Sequence, residues 1–106
     1  MSAGNFDDLV SLSVDEAMSK ILGPITWKSV TFFFDTRTAA HKPEVFVALL
    51  DKIFGLTSKV LQKEIAETLL NKVGAPQPSA TLDFRQIMRL AKARFPRTKI
   101  PGQLRT

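Results

Sequence analysis

The sequence predicts an all-α domain, a small bundle of four or five helices. Apolar residues recur at helical spacing over most of the chain, and prolines and glycines stand where such segments would begin and end. The one segment with strand propensity, WKSVTFFFD, lacks strict apolar–polar alternation. The chain has 106 residues, of which 44% are hydrophobic, so it is long enough to bury one modest core.

The first helix is predicted over about residues 14–22. Ser13 can cap its N-terminus, and Glu16 can complete a capping box three residues later. Gly23 suits the left-handed position after the last turn. The helix can also begin earlier, because residues 6–12 show helical spacing too. The predicted apolar stripe consists of Val14, Ala17, Met18, Ile21 and Leu22.

The segment WKSVTFFFD carries two opposing signals. Its aromatic and β-branched residues favour a strand, but three consecutive phenylalanines would occupy both faces of a sheet. In a helix, Trp27, Val30 and Phe34 share one stripe, and Pro24 stands at the start. We therefore interpret the segment as a central helix whose phenylalanines are covered by neighbouring helices. Phe32 is the candidate for an outward-facing dimer contact.

Two further helices are predicted after a polar connection over residues 35–42. Their very short junction indicates a helical hairpin or corner. Their ends are marked by Pro43, Glu44 and Gly55 in the first helix and by Thr57 or Ser58 and Gly74 in the second. Their apolar faces consist of Val45, Phe46, Leu49, Leu50, Ile53 and Phe54, and of Val60, Leu61, Ile65, Leu69 and Val73.

The last helix is predicted to begin at Thr81 or Asp83, after a linker with two prolines over residues 75–81, and to end at Pro96. It is amphipathic, with an apolar side and a basic side. The apolar side carries Phe84, Met88, Ala91 and Phe95, and the opposite side carries Arg85, Arg89 and Lys92.

Charge is divided unevenly along the chain. Residues 1–82 contain eight Lys/Arg and nine Asp/Glu, a net charge of −1, whereas residues 83–106 contain seven Lys/Arg and one Asp, a net charge of +6. We predict a single helical domain over residues 1–95, followed by a basic, disordered tail over residues 96–106. This asymmetry indicates an anionic partner.

The residue inventory argues against several kinds of site. The chain has no cysteine, which excludes disulfides and thiolate metal sites and fits a reducing, cytoplasmic setting. The single histidine, His41, stands beside Lys42 in a polar segment with no marked nucleophile near it. We therefore predict no enzyme activity, catalytic residue, metal or cofactor. The N-terminus lacks a signal-peptide pattern, and no apolar run reaches about 18 residues, so no membrane span is predicted.

Two functions are consistent with these observations. The first is a protein-interaction domain that forms homo-oligomers through apolar residues, with the candidates Phe32, Phe33, Phe84, Met88 and Phe95. The alternative is a nucleic-acid-binding module that uses Arg85, Arg89, Lys92, Arg94, Arg97 and Lys99. The same amphipathic helix could instead dock into an acidic protein groove or onto an anionic membrane, or simply pack on the body with a solvated basic face.

One resemblance bears on the first function. The stretch KPEVFVALLDKIFGLTSKVLQKEIAETLLNKVG, with the preceding WKSVTFFFD, resembles the small helical domains of archaeal proteins grouped as the Nitrosopumilus output domain, fifth type. It covers about residues 13–74 and depends on the proline–glutamate helix start and on Lys63 and Ile65 ahead of Gly74. The resemblance implies an archaeal signal-output or interaction module with no catalytic residues. The three phenylalanines depart from its pattern, and the basic C-terminal part lies outside it.

Overall fold

A computed structural model describes residues 5–33, 35–77 and 82–98, with side chains described as far as Phe95. These residues form helices and no strand, which confirms the all-α class. The six helices are one more than the upper number predicted. They are α1 (Phe6–Leu22), α2 (Pro24–Val30), α3 (Thr38–His41), α4 (Pro43–Phe54), α5 (Thr57–Lys72) and α6 (Phe84–Thr98). None of these described helices is both long and apolar enough to cross a membrane.

Helix α1 begins at Phe6, at the earlier start that the spacing allowed. Its N-cap is Asn5, whose side-chain oxygen accepts a hydrogen bond from the Asp8 amide at 2.8 Å. The predicted capping box at Ser13 is wrong, because Ser13 lies buried inside the helix. Its hydroxyl donates instead to the Leu9 carbonyl at 2.9 Å, a bond that a buried serine within a helix commonly makes.

Helix α2 has seven residues and ends at Val30, so the phenylalanines follow it. Pro24 takes the first helical position and Trp27 is buried, as predicted. The prediction that the helix continues through the phenylalanines is wrong, because the backbone tightens into turns there. The Phe33 amide donates to the carbonyl of Val30, only three residues earlier, at 2.9 Å. Phe34 lies outside the described residues.

Helix α3 occupies part of the segment 35–42, which the sequence predicts as a polar connection. The Asp35 side chain accepts the Arg37 amide at 2.8 Å and shapes the turn before the helix. Ala39 is fully buried and packs in the core. Two small alanines between polar residues give little apolar periodicity, which explains why the sequence pattern missed this helix.

Helices α4 and α5 form the predicted consecutive pair and pack against each other. Gly55 joins them with φ of +59°, a left-handed backbone that glycine adopts without a steric penalty. Helix α5 has Leu56 at its N-cap position and no side-chain cap, so the predicted cap at Thr57 or Ser58 is wrong. Ser58 is buried, and its hydroxyl accepts a hydrogen bond from the Gln62 side chain at 2.9 Å.

Helix α6 begins with a reciprocal capping box. The Gln86 amide donates to the Asp83 carboxylate at 2.8 Å, and the Asp83 amide donates to the Gln86 side-chain oxygen at 2.9 Å. Asp83 is thus confirmed as the cap, whereas Thr81 lies outside the described residues. The prediction that Pro96 ends the helix is wrong. Proline removes one backbone hydrogen bond, and α6 nevertheless extends to Thr98. Residues 99–106 of the predicted tail lie outside the described part of the chain.

The core lies where α1 and α5 pack along each other and α6 packs against α4 and α5. Phe46 of α4 and Phe84 of α6 stack with ring centroids 5.7 Å apart. The largest fully buried apolar side chains come from α1, α4 and α5: Val10, Val14, Met18, Phe46, Leu50, Leu61, Ile65, Leu69 and Leu70. This packing decides which predicted surface residues are available to a partner.

Candidate interaction surfaces

The first surface is apolar and lies at the end of α2. Phe32 and Phe33 are 81% and 78% exposed, and Ile25 is 84% exposed. Ile25 lies on α2, whereas Phe32 and Phe33 lie in the turn that follows it. We call Phe32 and Phe33 the aromatic turn. The predicted coverage of these phenylalanines by neighbouring helices is wrong, because no described helix packs over the turn that carries them.

The other predicted self-association residues do not form such a surface. Phe84 and Met88 are buried, because α6 directs its apolar side toward α4 and α5. Their assignment as self-association residues is therefore wrong. Phe95 is half-buried and packs edge-to-face on Phe6, with ring centroids 5.7 Å apart. Its ring joins the end of α6 to the start of α1.

Charged side chains of both signs flank the aromatic turn. Lys28 is exposed on α2 before the phenylalanines, and Asp35 is exposed just after them. The Asp35 side chain also accepts a hydrogen bond from the Arg37 amide. The aromatic turn is therefore an apolar patch with a cation on one side and a carboxylate on the other along the chain.

The second surface is the outer side of α6. Arg85, Arg89 and Lys92 are all exposed and recur at i, i+4 and i+7, which aligns them along one helical side. We call these three residues the cationic row. The apolar side of the same helix is occupied in the core, so the row faces away from the body.

The remaining predicted basic residues differ from the row. Arg94 is partly buried, and its guanidinium donates to the Gly74 carbonyl at 3.2 Å. This contact ties α6 to the end of α5, so Arg94 has a structural role in addition to its charge. The Arg97 side chain and the whole of Lys99 lie outside the described part of the chain.

Two ion pairs bridge α1 and α5 across an open polar groove. The Lys20 ammonium lies 2.8 Å from the Glu64 carboxylate, and the Lys72 ammonium lies 2.8 Å from the Glu16 carboxylate. The partners are 44 and 56 residues apart in the chain, so no local sequence pattern could have found them. The hydrogen bond to Glu64, followed by its negative charge, raises the pKa of Lys20 above the usual 10.5.

This shift gives a test at alkaline pH. Because the pKa of Lys20 is raised on folding, the pair stabilises the fold fully below pH 10.5 and loses its effect as pH rises through the folded-state pKa. We expect the melting temperature of Glu64→Gln to lie slightly below that of the wild type at pH 9. The difference should shrink toward zero at higher pH. A difference that stays constant through this range would contradict a contribution from the Lys20 charge.

His41 is paired rather than isolated. Its Nε2 lies 2.8 Å from the Asp7 carboxylate, which links the end of α3 to the first turn of α1. The sequence predicts that His41 is a solvated loop residue, and its imidazole is exposed. The contact with α1 could not be predicted from the sequence, because it forms only in the folded chain. Among the described residues, no group of three or more acidic or histidine side chains could hold a metal ion.

Comparison with known proteins identified no relative that could assign a function to either surface. No protein-family model, curated protein or solved structure matches the chain.

Proposed function

We propose that this chain is a non-enzymatic protein-interaction domain that associates with a second copy of itself through the aromatic turn. The observation that carries the proposal is the exposure of Phe32 and Phe33, about four-fifths of each side chain. Adjacent phenylalanines at that exposure are costly in water, and each side chain stabilises a complex by about 1.5–3 kcal/mol when it is fully buried. Exposed apolar patches of this kind mark contact surfaces.

A second copy is the partner that suits the chemistry of the turn. In a two-fold contact the same residues meet from both sides, so an apolar aromatic patch is complementary to itself. Phenylalanine rings also pair favourably in offset or edge-to-face geometry. Lys28 and Asp35 add opposite charges on either side of the turn, and in a two-fold arrangement each can face its counterpart in the other copy.

The polar groups best placed for chemistry support the non-enzymatic part of the proposal. His41 pairs with Asp7, and two ion pairs, Lys20–Glu64 and Lys72–Glu16, join α1 to α5 across the groove. These pairs join helices that are distant in sequence, a structural role that accounts for their geometry. A signal-output role for the association and a cytoplasmic setting stay predictions from the sequence.

Light scattering coupled to size-exclusion chromatography tests the association. The wild type should rise above the single-chain mass of 11.8 kDa as its concentration increases and approach twice that mass. Phe32→Ser combined with Phe33→Ser should remain at the single-chain mass. Loss of two buried phenylalanines per chain should raise the dissociation constant at least about a hundredfold.

Leu56→Ser is the matched control. Leu56 is 93% exposed at the α4–α5 junction, so the substitution removes a comparable apolar side chain without touching the aromatic turn. The control should associate like the wild type. A wild type that stays monomeric at millimolar concentration would overturn the proposal, and so would a loss of association in Leu56→Ser equal to that of the double variant.

A further inference from the structure

We propose that the cationic row of α6, Arg85, Arg89 and Lys92, binds the phosphate backbone of double-stranded nucleic acid. This site is distinct from the aromatic turn and does not depend on self-association. Its chemistry is electrostatic and independent of base sequence. The proposal follows from the geometry of the row, from what the fold does with the other side of α6, and from the charges near the row.

The spacing of the row matches that of phosphates. Arg85 and Lys92 are seven residues apart, so the row extends about 10 Å along the helix axis at 1.5 Å per residue. One strand of a duplex presents a phosphate about every 3.4 Å along its axis. Three cations over that length therefore correspond to about three phosphates. Arginine adds a planar guanidinium that can bind phosphate oxygens through two hydrogen bonds.

The burial of the apolar side of α6 separates nucleic acid from the other anionic partners. An amphipathic helix that lies on a membrane, or docks in a protein groove, must insert its apolar side into that partner. In α6 this side is already buried in the core, through Phe84, Ile87, Met88 and Ala91. Only the charged side remains available, and a charged side alone suits a highly charged, hydrated surface such as a duplex backbone.

The surroundings of the row also favour a duplex over a single strand. Proteins that bind single strands stack bases on exposed aromatic side chains. The two aromatic residues described on α6 are not available for stacking, because Phe84 is buried and Phe95 packs against Phe6. The row can therefore contact phosphates but offers no platform for unpaired bases.

Charges near the row predict an uneven contribution along it. Arg85 lines a groove with the carboxylates of Glu44, Asp51 and Asp83 and with one other cation, Lys59. The carboxylates outnumber the cations there and reduce the positive potential at that end. Arg89 and Lys92 lie farther along α6, closer in sequence to residues 93–106, which contain four Lys/Arg and no Asp/Glu. We therefore expect Arg89→Gln to weaken binding more than Arg85→Gln.

Fluorescence anisotropy with a labelled 20-base-pair duplex tests the site in the full chain. About three phosphate contacts give a salt slope near −2.7, so the row alone should make affinity fall about 40-fold between 50 and 200 mM salt. The triple variant Arg85→Gln, Arg89→Gln and Lys92→Gln should bind at least about tenfold more weakly at 50 mM salt, with a slope flatter by about that amount. Circular dichroism of the variant verifies that α6 still folds.

The matched control removes the same charge elsewhere. Lys42→Gln, Lys52→Gln and Lys63→Gln replace three exposed cations outside α6, and this variant should bind within about twofold of the wild type. Equal losses in the two triple variants would overturn the proposal, because net charge rather than the row would then explain binding. No duplex binding by the wild type at 50 mM salt would also overturn it.

Competing ligands complete the test. A single strand of the same length, vesicles containing phosphatidylserine, and polyglutamate should each bind more weakly than the duplex. Tighter binding of the single strand would contradict the lack of a stacking platform. Binding of the vesicles or of polyglutamate as strong as that of the duplex would assign the row to a membrane or to an acidic protein instead.

Discussion

Phe46→Ala is expected to lower the free energy of unfolding by about 3–5 kcal/mol, the usual cost of truncating a fully buried phenylalanine. Phe46 has no solvent exposure and stacks on Phe84, so its ring joins α4 to α6. Its removal costs the transfer energy of the ring and leaves a cavity that neighbouring helices only partly fill. The total stability of a domain of this size is about 5–15 kcal/mol, so the loss is a large fraction of it.

Urea unfolding followed by tryptophan fluorescence measures this effect, because Trp27 is the only tryptophan. Val45→Ala is the matched control on the same helix, since Val45 is adjacent in sequence but 43% exposed. It should change stability by well under about 1 kcal/mol. Similar losses in the two variants would show that Phe46 does not occupy the core position described for it.

Trp27→Ala is expected to have an effect of comparable size, about 3–5 kcal/mol, for a different reason. Trp27 is the one buried residue of α2, and its indole N–H donates to the Asp15 carboxylate of α1 at 3.0 Å. A helix of seven residues is too short to be stable alone in water, so its packing on α1 maintains it. Loss of the indole should therefore release α2 as well as create a cavity.

Far-UV circular dichroism measures unfolding of this variant, since its fluorophore is gone. Trp27→Phe is the matched control, because it keeps most of the apolar contact and loses the hydrogen bond to Asp15. Its cost should be about 1–2 kcal/mol. Trp27→Ala should also weaken self-association, because α2 positions the aromatic turn. A variant with unchanged stability would mean that α2 does not depend on this anchor.

Helix starts and ends marked by proline or glycine were predictable from the sequence. The outcome was not predictable where two local signals competed for the same helix end. Pro24 and Pro43 begin helices and Gly55 ends one, because backbone geometry restricts those residue types wherever they occur. Ser13 was a plausible cap by the same local reasoning, but Asn5 caps the helix earlier. Once the helix includes Ser13, its hydroxyl bonds within the helix instead.

The two candidate surfaces also show which properties follow from the sequence and which depend on the tertiary structure. The sequence identifies α6 as amphipathic, with the cationic row on a different side from its apolar residues, because helical spacing alone sorts the two sides. It does not say which apolar residues another helix covers. Phe84 and Met88 proved to be buried, whereas Phe32 and Phe33 proved to be exposed, which reverses part of the expectation.

By itself, the sequence determined the all-α class, the helix ends marked by Pro24, Pro43 and Gly55, and the concentration of positive charge at one end of the chain. Those properties follow from residue spacing, from backbone preferences and from composition. Only the tertiary structure decided which aromatic side chains meet solvent, which charges pair across α1 and α5, and that α6 keeps only its charged side free. Each of these depends on contacts between residues distant in sequence, which no local pattern encodes.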